Sequence, residues 1–120
     1  MRHPIFYNKM KLAALFSGGK DSTYAIFLAK KLGHTIDVLL TINSHSDETH
    51  LLHHPNIKFT TLQSESMGIT QLIEEIPSVE NETEFKKLEK LITLAKENHS
   101  IEGIVPVSYT HLTLPTIYSV

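Results

Sequence analysis

No cysteine occurs anywhere in the chain. Its absence excludes disulfides, thiolate metal sites and a cysteine nucleophile, and it fits a reducing compartment. Long apolar runs are missing as well. None approaches the roughly 20 residues that a bilayer span requires. Met1 to Lys11 carries Arg2, His3, Lys9 and Lys11 but no apolar stretch long enough for a signal peptide. The expectation is a cytoplasmic protein without a membrane partner. Nor is there an excess of one sign of charge: a net charge of -2 over 120 residues argues against a bulk electrostatic binder of nucleic acid. Internal repeats, low-complexity tracts and linkers are absent, and the length suits one domain at most. Met10 is an alternative start, because the first strand begins directly after it.

What is present alternates. Lys11 to Phe16 is a short apolar run ending at Ser17-Gly18-Gly19, which reads as a buried strand. From Asp21 to Leu32 the period changes: Tyr24, Phe27, Leu28, Lys31 and Leu32 recur at three- and four-residue spacing before Gly33, an amphipathic helix with a stop. Ile36 to Ile42 is a second buried strand, rich in β-branched residues. Together they predict a right-handed βαβ unit. Asn43 to Asn56 is a long polar loop. Thr60 to Met67 predicts a short helix stopping at Gly68, Ile69 to Ile76 a third strand, and Glu84 to Asn98 the clearest helix, with Phe85, Leu88, Leu91, Ile92 and Ala95 on one face. Glu102 to Pro106 starts a fourth strand. The expected fold is α/β, a mainly parallel open sheet with helices on both faces.

Chemistry concentrates in Leu15 to Ala25, L-F-S-G-G-K-D-S-T-Y-A. Glycines at the carboxyl end of a first strand, opening a helix, aim backbone N–H groups and the helix N-terminus at an anion. Gly18 and Gly19 allow close approach and positive φ. Lys20 adds a point charge, and Ser17 and Ser22 add hydroxyl donors. A Walker A loop needs G-x-x-x-x-G-K-[ST] and a dinucleotide fingerprint needs G-x-G-x-x-G; neither spacing is present. Asp21 is a carboxylate beside a phosphate cradle. It suits either an outer ligand of Mg²⁺ or a cap on the helix's own amides.

S-G-G-K-D-S resembles the S-G-G-x-D-S signature of the PP-loop ATP pyrophosphatases, which split ATP between the α and β phosphates. Three stretches narrow the resemblance to the diphthine–ammonia ligases. The first is K-L-A-A-L-F-S-G-G-K-D-S-T-Y-A. The second is L-L-H-H-P-N-I, where His53, Pro55 and Asn56 match and His54 replaces a threonine. The third is L-Q-S-E-S-M-G-I, where Gln63, Glu65, Met67, Gly68 and Ile69 match and Thr70 replaces a proline. The resemblance runs from about Lys11 to Pro106. It implies adenylation of the diphthine carboxylate of elongation factor 2 with ATP and Mg²⁺, then amidation by ammonia. On that resemblance Lys20 and Asp21 are catalytic, and Ser17, Gly18, Gly19, Lys20, Asp21 and Ser22 bind the nucleotide. His53, Asn56, Gln63 and Glu65 bind the substrate, and Asp21 is the Mg²⁺ contact. Two other readings stay open: a PP-loop enzyme that modifies tRNA, and a non-catalytic nucleotide-binding module.

The remaining features are less specific. His45, His50, His53 and His54 crowd one loop, but their spacing fits no metal-site pattern and no cysteine joins them. Glu74-Glu75 and Lys86-Lys87 read as solvated charges. After Pro106 the local signals conflict, and Val107 to Thr116 can be back-translated into a string resembling a sequencing-library adapter. The expectation is a nucleotide-binding domain over 1–106, with 107–120 as adapter read-through. The natural protein would then continue past Pro106, and this fragment would be inactive, with an unpaired sheet edge that promotes aggregation.

Overall fold

The computed structural model describes residues 9–44, 56–76, 81–106 and 117–120. Strands and helices follow in the order β1 (Lys11–Leu15), α1 (Lys20–Lys31), β2 (Thr35–Ser44), α2 (Ile57–Met67), β3 (Thr70–Ile76), α3 (Asn81–His99), β4 (Gly103–Val105) and β5 (Tyr118–Ser119). Among the described residues they build one sheet in the order β3-β2-β1-β4-β5. The pairs β1–β2, β2–β3 and β1–β4 are parallel; β4–β5 is antiparallel. The α/β fold with a mainly parallel sheet is thus the one the sequence leads to.

Topology explains why the helices divide between the faces. The chain steps from β1 to β2 to β3 in one direction, then returns past them to place β4 on the other side of β1. Right-handed crossovers put helices on one face for the outward steps and on the opposite face for the return. Accordingly Ala25, Ile26 and Ala29 of α1 and Met67 of α2 pack with Leu12, Ala14, Phe16, Leu39 and Val105. Leu88, Leu91, Ile92 and Ala95 of α3 pack with Ala13, Val38, Leu40, Ile42 and Ile104 on the other face. Leu12, Leu39, Leu40 and Ile42 are fully buried. Each contributes roughly 1.5–3 kcal/mol relative to an exposed position.

Three expectations change. The buried face of α1 consists of Ser22, Ala25, Ile26 and Ala29, whereas Tyr24 and Phe27 are half exposed. The small residues let the helix backbone approach the sheet. The rings stack on each other at a centroid distance of 6.2 Å, with Lys31 Nζ 5.7 Å from the centre of Phe27. Glu74 is not simply solvated: it is paired with Lys87 at 3.2 Å and Lys90 at 3.6 Å, with only 17% of its side chain exposed. This pair ties β3 to α3. Finally, β4 is not left bare on its outer side, because Tyr118 pairs with Ile104 and Ser119 with Gly103. A Cβ on the buried Gly103 would lie 3.0 Å from the Tyr118 carbonyl oxygen and 2.9 Å from Leu12 Cδ2. The stretch 107–116, most of the proposed adapter segment, lies outside the described residues.

Candidate functional site

The loop Ser17-Gly18-Gly19 leaves the carboxyl end of β1, the central strand. On either side of that strand the connections run in opposite directions. This switch point is where open parallel sheets leave a crevice for a ligand. Phe16 N donates to Leu40 O at 2.8 Å, so β1 stays paired right up to the loop.

Gly18 has φ +85, the left-handed region that only glycine adopts without strain. A Cβ there would also sit 2.8 Å from both Gln63 Oε1 and Thr60 Cγ2 of α2. Gly19 differs from the sequence expectation: its φ is -80, in extended backbone, and a Cβ would meet nothing closer than Ser17 Oγ at 3.7 Å. Its role is the N-cap of α1, without any side-chain cap bond. Asp21 therefore does not cap the helix; it lies exposed in the first turn beside the exposed Lys20.

The carbonyl of Gly19 accepts the first helical bond from Thr23 N at 3.1 Å, together with Thr23 Oγ1 at 2.9 Å and Ser22 Oγ at 3.2 Å. The amides of Lys20, Asp21 and Ser22 precede Thr23 N, the first intrahelical donor, so they point out of the helix end. Gly19 N donates to Ser17 Oγ at 3.4 Å, and the hydroxyls of Ser17 and Ser22 are 3.5 Å apart. Ser22 is buried under the turn, so its hydroxyl shapes the loop from beneath. Outward amides, the positive end of α1 and the Lys20 ammonium are the groups that could hold an anion of several charges. The Lys20, Asp21, Thr23, Tyr24 and Phe27 side chains line an open groove running from the loop along α1.

The other sequence candidates separate. Gln63 reaches the loop: its Nε2 donates to Gly18 O at 3.4 Å, and its Oε1 is buried without a hydrogen-bond partner among the described residues. Glu65, two residues on, is turned about 200° away around the helix and is exposed. Asn56 is the N-cap of α2, its Oδ1 accepting from Phe59 N at 3.1 Å. His53 lies outside the described residues, as do His45, His50 and His54. Among the described residues no group of three or more His, Asp or Glu side chains is placed to hold a metal ion, and no helix is long and apolar enough to cross a membrane.

Sequence reasoning missed a polar network beneath the loop. Thr41 Oγ1 donates to Phe16 O at 2.8 Å. Gln71 Nε2 donates to Thr41 Oγ1 at 2.9 Å and to Thr60 Oγ1 at 3.0 Å, and Gln71 Oε1 accepts from Thr61 Oγ1 at 3.3 Å. The available signal was Thr41, a hydroxyl inside an otherwise apolar buried strand.

Against known proteins, the family model described as the diphthamide synthase N-terminal domain matches residues 10–117. A search among curated proteins finds no match. With the matched span covering most of its length, and with the loop, glycine geometry and parallel sheet described above, the chain belongs to the family of diphthamide synthase N-terminal domains.

Proposed function

We propose that this domain is the nucleotide-binding part of an ATP-dependent amide ligase. In this reading the enzyme adenylates the diphthine carboxylate of elongation factor 2 and amidates it with ammonia, in the cytoplasm. ATP, ammonia and the modified factor are substrates, and Mg²⁺ accompanies ATP. The observation that carries the reading is the loop Ser17–Ser22. A left-handed Gly18 is packed against α2, and an α1 N-terminus without a side-chain cap follows, with Lys20 and Asp21 exposed on its first turn.

The chemistry asks for charge neutralisation and alignment. A carboxylate oxygen of diphthine forms a bond to the α phosphorus while the bond from that phosphorus to the α–β bridging oxygen breaks. The departing pyrophosphate gains negative charge, which the first-turn amides of α1 and the Lys20 ammonium offset. Asp21, exposed on the first turn, would hold Mg²⁺, whose charge would assist the same departure. Ser17 and Ser22 keep the loop in register, so that the carboxylate meets the phosphorus in line. Ammonia then attacks the activated carbonyl carbon, AMP leaves, and a proton from the ammonia nitrogen passes to water. No enzyme nucleophile is required, which agrees with a chain lacking cysteine.

The full-length protein with ATP and ammonium should release AMP and pyrophosphate only when diphthine-bearing elongation factor 2 is supplied. Release with tRNA in place of the factor would favour the tRNA-modifying reading, and ADP as product would overturn both.

A further inference from the structure

The loop ends a strand, but its shape is set from below. Strand alternation sends Leu40, Ile42 and Leu72 into the α3 face and Leu39 and Ile69 into the face shared with α1 and α2. Thr41 and Gln71 fall on that second face by the same alternation. Thr41 and Thr60 are both fully buried. Each threonine hydroxyl donates to a backbone carbonyl, Thr41 to Phe16 O at 2.8 Å and Thr60 to Ile57 O at 3.0 Å. Each therefore has a lone pair to offer, and the two N–H bonds of the Gln71 amide meet these two oxygens at 2.9 and 3.0 Å. The amide oxygen takes the Thr61 hydroxyl. Every hydrogen of this group has one acceptor, which fixes the orientation of the amide.

The network joins parts that touch or adjoin the loop. Phe16 is the residue before Ser17. Thr60 carries the methyl that stands 2.8 Å from where a Cβ on Gly18 would be, and Gln63, one turn further along α2, donates to Gly18 O. A shift of α2 against β2 or β3 would release Gly18 from its left-handed conformation or press on it.

We propose that Thr41, Gln71 and Thr60 form a strut that holds the loop in its anion-binding shape, with Gln71 and Thr41 acting as positioning residues for the phosphates of ATP. The proposal rests on the reading of the loop as the ATP site, so its test has one arm that needs no ligand. In the full chain, Thr41→Val keeps the shape of the side chain and removes the hydroxyl, Thr41→Ser keeps the hydroxyl, and Gln71→Met keeps the length of the side chain and removes the amide. Thr41→Val and Gln71→Met should bind MgATP roughly tenfold more weakly and Thr41→Ser within about twofold of the parent, the scale of one net hydrogen bond. Without ligand, amide hydrogen exchange at 17–22 should be faster in Thr41→Val and Gln71→Met, with exchange in α3 unchanged.

Two results would overturn the strut. One is exchange at 17–22 and MgATP affinity both equal to the parent's in either folded variant. The other is an acceleration of exchange spread evenly over loop and α3, which is loss of global stability alone. Failure of the parent chain to bind MgATP would overturn the ATP reading instead, and the exchange arm would still decide the strut. Should Thr41→Val not fold, Gln71→Met carries both arms.

Discussion

At the scale of single residues the two loop glycines look alike in sequence and differ in what they tolerate. Gly18 is left-handed and walled in by Gln63 and Thr60; Gly19 is extended and open. Gly18→Ala should therefore cost about 1–3 kcal/mol in urea unfolding, from backbone strain and the forced shift of α2. Gly19→Ala should cost about 0.5 kcal/mol, alanine being the poorer N-cap. If the Gly19 position serves close approach of an anion, its alanine variant keeps its fold and loses pyrophosphate affinity, measurable by calorimetry. Lys20→Gln separates charge from structure in the same way. The side chain is exposed, so stability should stay within about 0.5 kcal/mol of the parent, while pyrophosphate binding weakens and its dependence on salt flattens.

Helices and strands were read from the sequence with unequal success. Spacing located α1, α2, α3 and the first four strands, because apolar period and glycine stops are local signals. What local signals leave open is which face a helix turns inward. In α1 the periodic large residues include Tyr24 and Phe27, yet the sheet takes Ser22, Ala25, Ile26 and Ala29, a face that is small except for Ile26 and so lets the helix pack closely on the sheet. Ala29→Leu should thus destabilise by about 1–3 kcal/mol through overpacking. Phe27→Ala, at 54% exposure, should cost less than about 1 kcal/mol, both variants being read by urea unfolding. The candidate site divides along similar lines. Ser17 to Ser22 was legible as contiguous sequence. Gln63 was flagged by its motif, but its grip on Gly18 O needs α2 to be folded against the loop. The strut of Thr41, Gln71 and Thr60 joins residues from three elements, and apart from the Thr41 hydroxyl in an apolar strand the sequence carries no trace of it.

For the molecule as a whole, the loop is a joint between β1 and α1 braced by α2, so a ligand seated there should stabilise the entire cooperative unit. MgATP at about a hundred times its dissociation constant should add about 2.7 kcal/mol to the unfolding free energy, seen as a raised melting temperature; no shift at that excess would contradict ATP binding. The position of β1 has a further consequence for biosynthesis. It is made first but lies in the middle of the sheet, and its partner on one side comes late: Lys11 N donates to the Glu102 carboxylate 91 residues on. Such distant pairing closes slowly compared with neighbouring contacts. On the ribosome β1, α1 and β2 can associate early, but the strand beneath the loop keeps one bare flank until Gly103 to Val105 has emerged from the exit tunnel. The nascent chain therefore passes through a stage in which an apolar parallel strand is half covered, and chaperone capture or nucleotide binding during synthesis should change abruptly when β4 clears the tunnel.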